Sequence, residues 1–160
     1  MRKKLILVIQ NGHLFQPNLS FFNLKKRIKK NEGFSIKPYK DQLGFLTVGY
    51  GHLIKNGEEK KFYKKNTKKE LEYIFEKDFQ KATSDFRRMF RKENYNIKQR
   101  ELLIEMIFQL GIDGVLKFKK MFFYLNKKKD YMVCLEMMDS VWYKQTPQRV
   151  GNLIKNFIKR

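Results

Sequence analysis

The chain has 160 residues, enough for one domain with its own hydrophobic core. Hydrophobic residues make up 42% of it, which excludes a disordered polycation. Lysine and arginine total 36 against 16 acidic residues, a net charge of +20, so the surface should attract polyanions such as nucleic acid, anionic lipid or a bacterial cell wall. Most of the basic residues are lysine, and asparagine, isoleucine and phenylalanine are abundant, so the codon bias of an AT-rich genome is a second explanation of the charge.

The N-terminus, MRKKLILVIQNGH, resembles a signal peptide only in its basic start. Its apolar run from Leu5 to Ile9 has five residues, whereas a signal peptide needs roughly 7–15. We expect a short strand or a docked tail, and residues 1–19 are left as an N-terminal extension without assignment. No segment approaches the ~20 apolar residues of a membrane span.

The one cysteine, Cys134, excludes an internal disulfide and lies in an apolar helical pattern, which predicts a buried thiol. The chain has only two histidines, His13 and His52, which are too few for a histidine-based metal site. We therefore predict no metal site and no cofactor.

The first elements are a helix and a small β region. Asn18 or Ser20 can cap a helix that stops near Gly33. From residue 34 to about residue 53, short β-favouring runs alternate with glycine, and DQLG at 41–44 is typical of a hairpin turn. Pro38 fits only an edge strand. Residues 55–66 are predicted to be a polar connector without a helix.

The rest of the chain is predicted to be helical. Thr67 and Glu70 form a capping box that opens a long helix, whose apolar stripe continues to Phe90. A second helix, from about Asn96 to Gly111, is apolar on several sides and should be central. Shorter helices are expected at 115–126, at 130–139 and from Pro147 to the C-terminus. This order of elements predicts an α+β fold with two lobes.

Two carboxylates lie close together in the glycine-rich segment. Glycoside hydrolysis needs one protonated carboxylic acid and one ionised carboxylate. Glu32 would lie at the C-terminal end of a helix, where the dipole disfavours its charged form, which suits a general acid. Asp41 would lie at a solvated turn, and the hydroxyl of Thr47 could hold a water molecule near it.

The neighbours of these residues make the pattern more specific. Glu32, Asp41 and Thr47 are followed by Gly-Tyr-Gly-His at 49–52, and this order resembles the active segment of the phage-type lysozymes, the enzymes of the T-even phages and their relatives. The resemblance continues through TKKELEYIFEKDF, FQLGIDGVLKF and WYKQTPQR, and it covers about residues 20–160.

The resemblance implies a lysozyme-like α+β fold, with a small N-terminal β lobe and a larger helical lobe joined by a long helix. Residues 20–160 would form one lysozyme domain, in which 20–66 are the β lobe with its preceding helix and 67–160 are the linking helix and helical lobe. The implied activity is an endolysin's hydrolysis of the β-1,4 bond between N-acetylmuramic acid and N-acetylglucosamine in peptidoglycan, with inversion. Glu32 would be the general acid, and Asp41 with Thr47 would direct the attacking water.

Other positions carry over from the same resemblance. Leu53, Phe108 and Gln109 match residues that contact the sugar, and Arg149 matches an arginine that faces the acid across the cleft. Arg149 would lower the pKa of Glu32 against the helix dipole, and the sequence leaves the balance open.

His52 and Asp78 match a structural ion pair. The implied partners are peptidoglycan and, through charge, an anionic cell surface, with no specific nucleic acid. The protein would be a monomer made in the host bacterial cytoplasm that reaches the wall at lysis.

Two alternatives stay open. A lytic transglycosylase would cleave the same bond with the acid alone, although Asp41 and Thr47 favour water as the nucleophile. The other is a basic module that binds the wall, nucleic acid or membrane without catalysis. The final helix, RVGNLIKNFIKR, fits a membrane-surface helix in isolation. Against nucleic acid, the aromatic residues follow helical core spacing and no nucleic-acid motif is present.

Overall fold

A computed structural model describes residues 8–10, 13–15, 19–41 and 44–159. In these residues the chain forms five strands and eight helices. The strands are β1 (Val8–Gln10), β2 (His13–Phe15), β3 (Ser35–Lys40), β4 (Leu46–Gly49) and β5 (His52–Leu53). The helices are α1 (Leu19–Glu32), α2 (Glu59–Phe62), α3 (Lys68–Met89), α4 (Ile97–Val115), α5 (Lys119–Asn126), α6 (Asp130–Met138), α7 (Val141–Gln145) and α8 (Pro147–Ile158).

The strands form two antiparallel sheets. β1 pairs with β2 within the segment that the sequence left unassigned. The second sheet has the order β3-β4-β5, so Pro38 lies on an edge strand as predicted. The mostly helical chain with its small three-stranded sheet confirms the predicted lysozyme-like α+β fold.

The long helix α3 connects three hydrophobic clusters, and its capping box forms as predicted. Leu71, in its first turn, packs with Val48 of the β lobe. Phe75 and Phe79 pack with α1, and Ala82 belongs to the large cluster of the helical lobe. Residues spaced along one face of α3 therefore hold the β lobe, α1 and the helical lobe together.

Helix α1 is fixed from two sides by charged side chains. Lys25 and Lys29 form ion pairs with Glu76 and Glu72 of α3. On the other side, the Arg27 side chain donates to two carboxylates of α4, which are described below. The last residue of α1 is Glu32, so these contacts set the position of the candidate acid.

Several boundaries differ from the prediction. The connector contains the one-turn helix α2, which forms because Phe62 is buried against the β lobe. α4 continues to Val115 across a kink at Gly111, where φ is +67°. Ser20 lies inside α1 and does not cap it, whereas Asn18 is outside the described residues.

The region before α8 was also predicted incompletely. Helix α7 was missed because its five residues are too few to show a helical period. The sequence also suggests Thr146 as the N-cap of α8; Thr146 does occupy that position, but its hydroxyl donates to the carbonyl of Trp142 at 3.0 Å and makes no capping hydrogen bond to α8. The buried state predicted for Cys134 is confirmed, with 5% of that residue exposed.

His52 and Asp78 form the predicted contact, since Nδ1 of His52 lies 2.8 Å from Oδ2 of Asp78. His52 belongs to β5 and Asp78 to α3, so the pair ties the β lobe to the long helix. In the described part of the chain, no helix is long and apolar enough to cross a membrane.

We expect Asp78→Asn to lower the free energy of unfolding by about 0.2–1 kcal/mol, the range measured for ion pairs that solvent screens. Asp113→Asn is the matched control, because Asp113 is exposed and lacks an ion pair among the described residues. Reversible chemical unfolding measures both variants. Equal losses would show that the pair contributes nothing beyond the removal of one negative charge.

Candidate active site

The acid Glu32 is nearly buried where α1 ends. Its side chain is 7% exposed, and Nη2 of Arg149 donates to its Oε2 at 2.8 Å. Arg149 lies in the first turn of α8, so the contact joins α1 to α8 through two residues that are 117 positions apart in the sequence. Arg149 therefore faces the acid, as the resemblance predicted.

Burial decides the charge state of Glu32. The pKa of Glu32 is raised from 4.5 to about 7. Desolvation by burial is the largest cause, the nearby Arg149 guanidinium lowers the pKa, and the carboxylate of Glu105 raises it. The sequence left the balance between the helix dipole and Arg149 open. In the structure, the loss of water around the carboxyl group outweighs the effect of Arg149, and the pKa of Glu32 is raised.

Glu105 was not predicted as part of this site. It is fully buried on α4, where Nε of Arg27 donates to its Oε2 at 2.8 Å and Nδ2 of Asn31 donates to its Oε1 at 3.0 Å. Nη1 of Arg27 also donates to Oε2 of Glu101 at 3.2 Å. Because Asn31 precedes Glu32 directly, Glu105 fixes the end of the helix that carries the acid.

Asp41 lies where β3 turns toward β4. Its Oδ1 accepts a hydrogen bond from the backbone N–H of Phe45 at 2.8 Å, and its own N–H donates to the Phe45 carbonyl at 2.9 Å. The N–H of Gly44 donates to the Asp41 carbonyl at 3.0 Å. These bonds close the turn that DQLG predicted, although Gln42 and Leu43 lie outside the described residues.

A row of three cross-strand partners brings the β-lobe residues together. Tyr39 pairs with Thr47, and Thr47 pairs with Leu53. Directly opposed residues of an antiparallel sheet have their side chains on the same face. Thr47 is buried between a half-exposed Tyr39 and an exposed Leu53, and its hydroxyl donates to the Phe45 carbonyl at 3.1 Å.

Tyr39 connects the two halves of the site. Burial raises the pKa of its phenol, the charges of Glu32 and Asp41 raise it further, and Arg149 lowers it. The phenol is therefore close enough to respond to both carboxylates and to the guanidinium. Sequence reasoning missed Tyr39, although its position two residues before Asp41 on a strand was a usable signal.

The remaining predicted contacts lie on α4. The ring of Phe108 is 5.5 Å from that of Phe75 and packs against two hydrophobic clusters. The side-chain amide nitrogen and oxygen of Gln109 are both buried, and neither has a hydrogen-bond partner among the described residues. The substrate-binding roles of Phe108, Gln109 and Leu53 stay predictions.

Gly51 is required by the position of the acid. A Cβ atom at this residue would lie 2.7 Å from Oε2 of Glu32, and its φ of +80° is one that residues with side chains rarely adopt. The glycine of the signature thus leaves room for the carboxyl group.

At the boundary between the small β lobe and the helical lobe, this geometry places the buried acid Glu32, the guanidinium of Arg149 and the turn that carries the Asp41 carboxylate. A carboxylic acid kept protonated near neutral pH, with a second carboxylate nearby, is the arrangement of a glycosidase.

The comparisons with known proteins agree with this class. The sequence profile "Phage lysozyme" matches residues 29–158. The chain is 33% identical over 156 residues to "Probable T4-type lysozyme 1" of Dictyostelium discoideum, covering 82% of this chain and 91% of that protein. It is 31% identical over 158 residues to "Probable T4-type lysozyme 2" of the same organism, covering 84% and 93%.

A third relative is a longer protein. The chain is 25% identical over 159 residues to the "Pre-baseplate central spike protein Gp5" of Enterobacteria phage T4, covering 86% of this chain and 27% of that protein. The chain belongs to the phage lysozyme family. It is therefore an enzyme, a glycosidase of the lysozyme type.

We expect Gly51→Ala to reduce enzymatic activity at least about tenfold. The new methyl group would overlap the Glu32 carboxyl group, which would have to move away from its catalytic position. Gly57→Ala is the control, since Gly57 has a φ of +90° but a Cβ atom added there would meet nothing within 4 Å. Both variants carry backbone strain, so thermal unfolding should show similar losses of stability. Equal losses of activity in the two variants would contradict the role assigned to Gly51.

Proposed function

We propose that the chain is an endolysin-type muramidase that hydrolyses the β-1,4 bond between N-acetylmuramic acid and N-acetylglucosamine in peptidoglycan, with inversion at the anomeric carbon. One observation carries the proposal. Burial holds the pKa of Glu32 at about 7, beside a guanidinium that can stabilise the carboxylate after proton transfer.

Glu32 supplies the proton to the leaving oxygen. An ordinary glutamate, with a pKa of 4.5, would be ionised near neutral pH and could not act as an acid. With a pKa of about 7, Glu32 is protonated in a large share of the molecules at neutral pH. Once the proton has left, Arg149 at 2.8 Å compensates the new negative charge.

Asp41 and Thr47 act on the water. The Thr47 hydroxyl already donates its hydrogen to the Phe45 carbonyl, so its remaining lone pairs are the ones that can accept a hydrogen bond from water. Asp41, on the adjoining turn, takes one proton of this water as the water oxygen bonds to the anomeric carbon, and the other proton stays on the new hydroxyl group. Attack by a water molecule held on the face opposite the acid gives inversion.

Leu53 and Gln109 support a sugar-binding role from opposite lobes. Leu53 is an exposed apolar side chain beside Thr47, suited to contact the apolar part of a sugar. A buried amide without partners, as in Gln109, costs about 1–3 kcal/mol, which hydrogen bonds to substrate could recover. Phe108, whose ring packs against that of Phe75, would shape the substrate site through packing.

The proposal extends to the biological setting. The protein would be made in the host bacterial cytoplasm and would reach the wall at lysis. It would act as a monomer, since one chain supplies the acid, the guanidinium and the water-directing residues.

The proposal is tested with purified protein and isolated peptidoglycan, by mass spectrometry of the released fragments. Glu32→Gln should lower the rate of release by about 100-fold or more, because an amide cannot donate the proton. Glu93→Gln is the control, because Glu93 is exposed and distant in sequence from every site residue. Circular dichroism establishes that both variants fold.

Product chemistry separates the alternatives. Hydrolysis gives reducing sugar ends, and NMR of fresh products should show the inverted anomer. Products with an internal anhydro ring would instead identify a lytic transglycosylase. Release by Glu32→Gln at the rate of the unmodified protein would overturn the assignment of the acid.

A further inference from the structure

A strongly basic groove lies between α1 and α8, outside the carboxylate site. Its volume is about 440 Å³, and its lining consists of four lysines, one arginine and four asparagines. Among the described residues, no acidic, aromatic or aliphatic side chain lines it. The lysines are Lys26, Lys30, Lys155 and Lys159.

The charges of these four lysines are not neutralised. All four are exposed, and none has a carboxylate within 4 Å in the part of the chain that the structure describes. Two other lysines of the same helix, Lys25 and Lys29, do form ion pairs with α3. Helix α1 therefore pairs its lysines on the side facing α3 and leaves them unpaired in the groove.

The arginine has a different task. Arg27 donates to Glu101 and Glu105, so its charge is already compensated and it serves as part of the wall between α1 and α4. The groove thus presents four free ammonium groups above a fixed wall.

Asparagine side chains accompany the lysines on both helices. Asn23 is exposed on α1, and on α8 the Asn156 amide donates to the Asn152 carbonyl at 2.8 Å. Amide groups both donate and accept, so they suit a ligand that carries hydroxyl groups as well as anionic groups.

The lysines form two rows with a regular spacing. Lys26 and Lys30 are four residues apart on α1, and Lys155 of α8 is four residues from Lys159, which directly follows that helix. Four residues of an α-helix rise about 6 Å, so each row repeats its charge about once per helical turn. Such an arrangement matches a linear polymer with one anionic group per short repeat.

We propose that this groove binds a polyol phosphate chain, a hydroxylated polymer whose units are joined by phosphodiesters. The lysines bind the phosphates. The hydroxyl groups bind Asn23 and the donor and acceptor positions of Asn31 and Asn156 that remain beyond their bonds to Glu105 and to the Asn152 carbonyl. The groove approaches the helix segments that supply Glu32 and Arg149, since its lining includes Asn31, next to Glu32, and Asn152, three residues beyond Arg149. A wall polymer bound there anchors the protein beside the glycan strand.

Two other anionic partners fit the groove less well. Single-stranded nucleic acid is bound with aromatic side chains on which bases stack, and the described lining has none. A membrane surface is bound by helices that insert apolar side chains, and the described lining has none of these either.

The proposal is tested by titrating the full chain with synthetic poly(glycerol phosphate) in a calorimeter, with uncharged polyglycerol as the blank. The groove variant replaces Lys26, Lys30, Lys155 and Lys159 with glutamine. We expect its affinity to fall about 30-fold, from four charge contacts of modest strength. The control replaces Lys64, Lys65, Lys69 and Lys92, four other exposed lysines, with glutamine and should lose less than about threefold through the long-range field.

Both variants lose four positive charges, so a difference between their affinities reports the position of the charges and not their number. Equal losses in both would mean that diffuse charge binds the polymer, and would overturn the groove. A tighter, groove-dependent affinity for an oligothymidylate of the same charge, or for phosphatidylglycerol vesicles, would overturn the polyol phosphate as the ligand. Binding does not require bond cleavage, so failure here leaves the muramidase proposal untouched, and loss of hydrolysis leaves this one untouched.

Discussion

The site depends on the burial of one carboxyl group at the end of α1. Glu32 is held there because α1 is fixed to α3 by lysine pairs and to α4 through Arg27 and Glu105. Burial removes water from the carboxyl group, and Arg149 approaches it from α8. The acid therefore links the first helix of the domain to the last.

This burial costs stability at the pH where the protein would act. The pKa of Glu32 is about 7 in the folded state against 4.5 ordinarily, so between these pH values the folded state holds a proton that the unfolded chain has released. Stability then falls as pH rises through this window, by roughly 3 kcal/mol in total. Glu105 adds to the cost, since its own pKa is raised by burial although Arg27 and Asn31 bind it. The same burial that destabilises the fold keeps the catalytic acid protonated.

The sequence predicted what depends on local pattern. The capping box at Thr67, the long helix and the edge position of Pro38 are all present. The contact of His52 with Asp78, which the family resemblance implied, is present as well. The features that it did not predict depend on packing between distant segments. α2 and α7 are too short to show a period, and the place of Glu105 behind the acid is set by the way α4 packs against α1. An acid within the apolar run LLIEMIFQL was the one available signal for it. The pKa of Glu32 likewise depends on burial, which the chain around it does not reveal.

The central claim is that Glu32 keeps its proton near neutral pH, and carboxyl NMR measures this directly. The chain labelled with carbon-13 at the glutamate side-chain carboxyl is titrated with acid and base, and the Glu32 signal is assigned by its absence in Glu32→Gln. The account predicts a midpoint near pH 7 for this signal. A midpoint near 4.5, the ordinary value for glutamate, would contradict it and would leave the site without its acid.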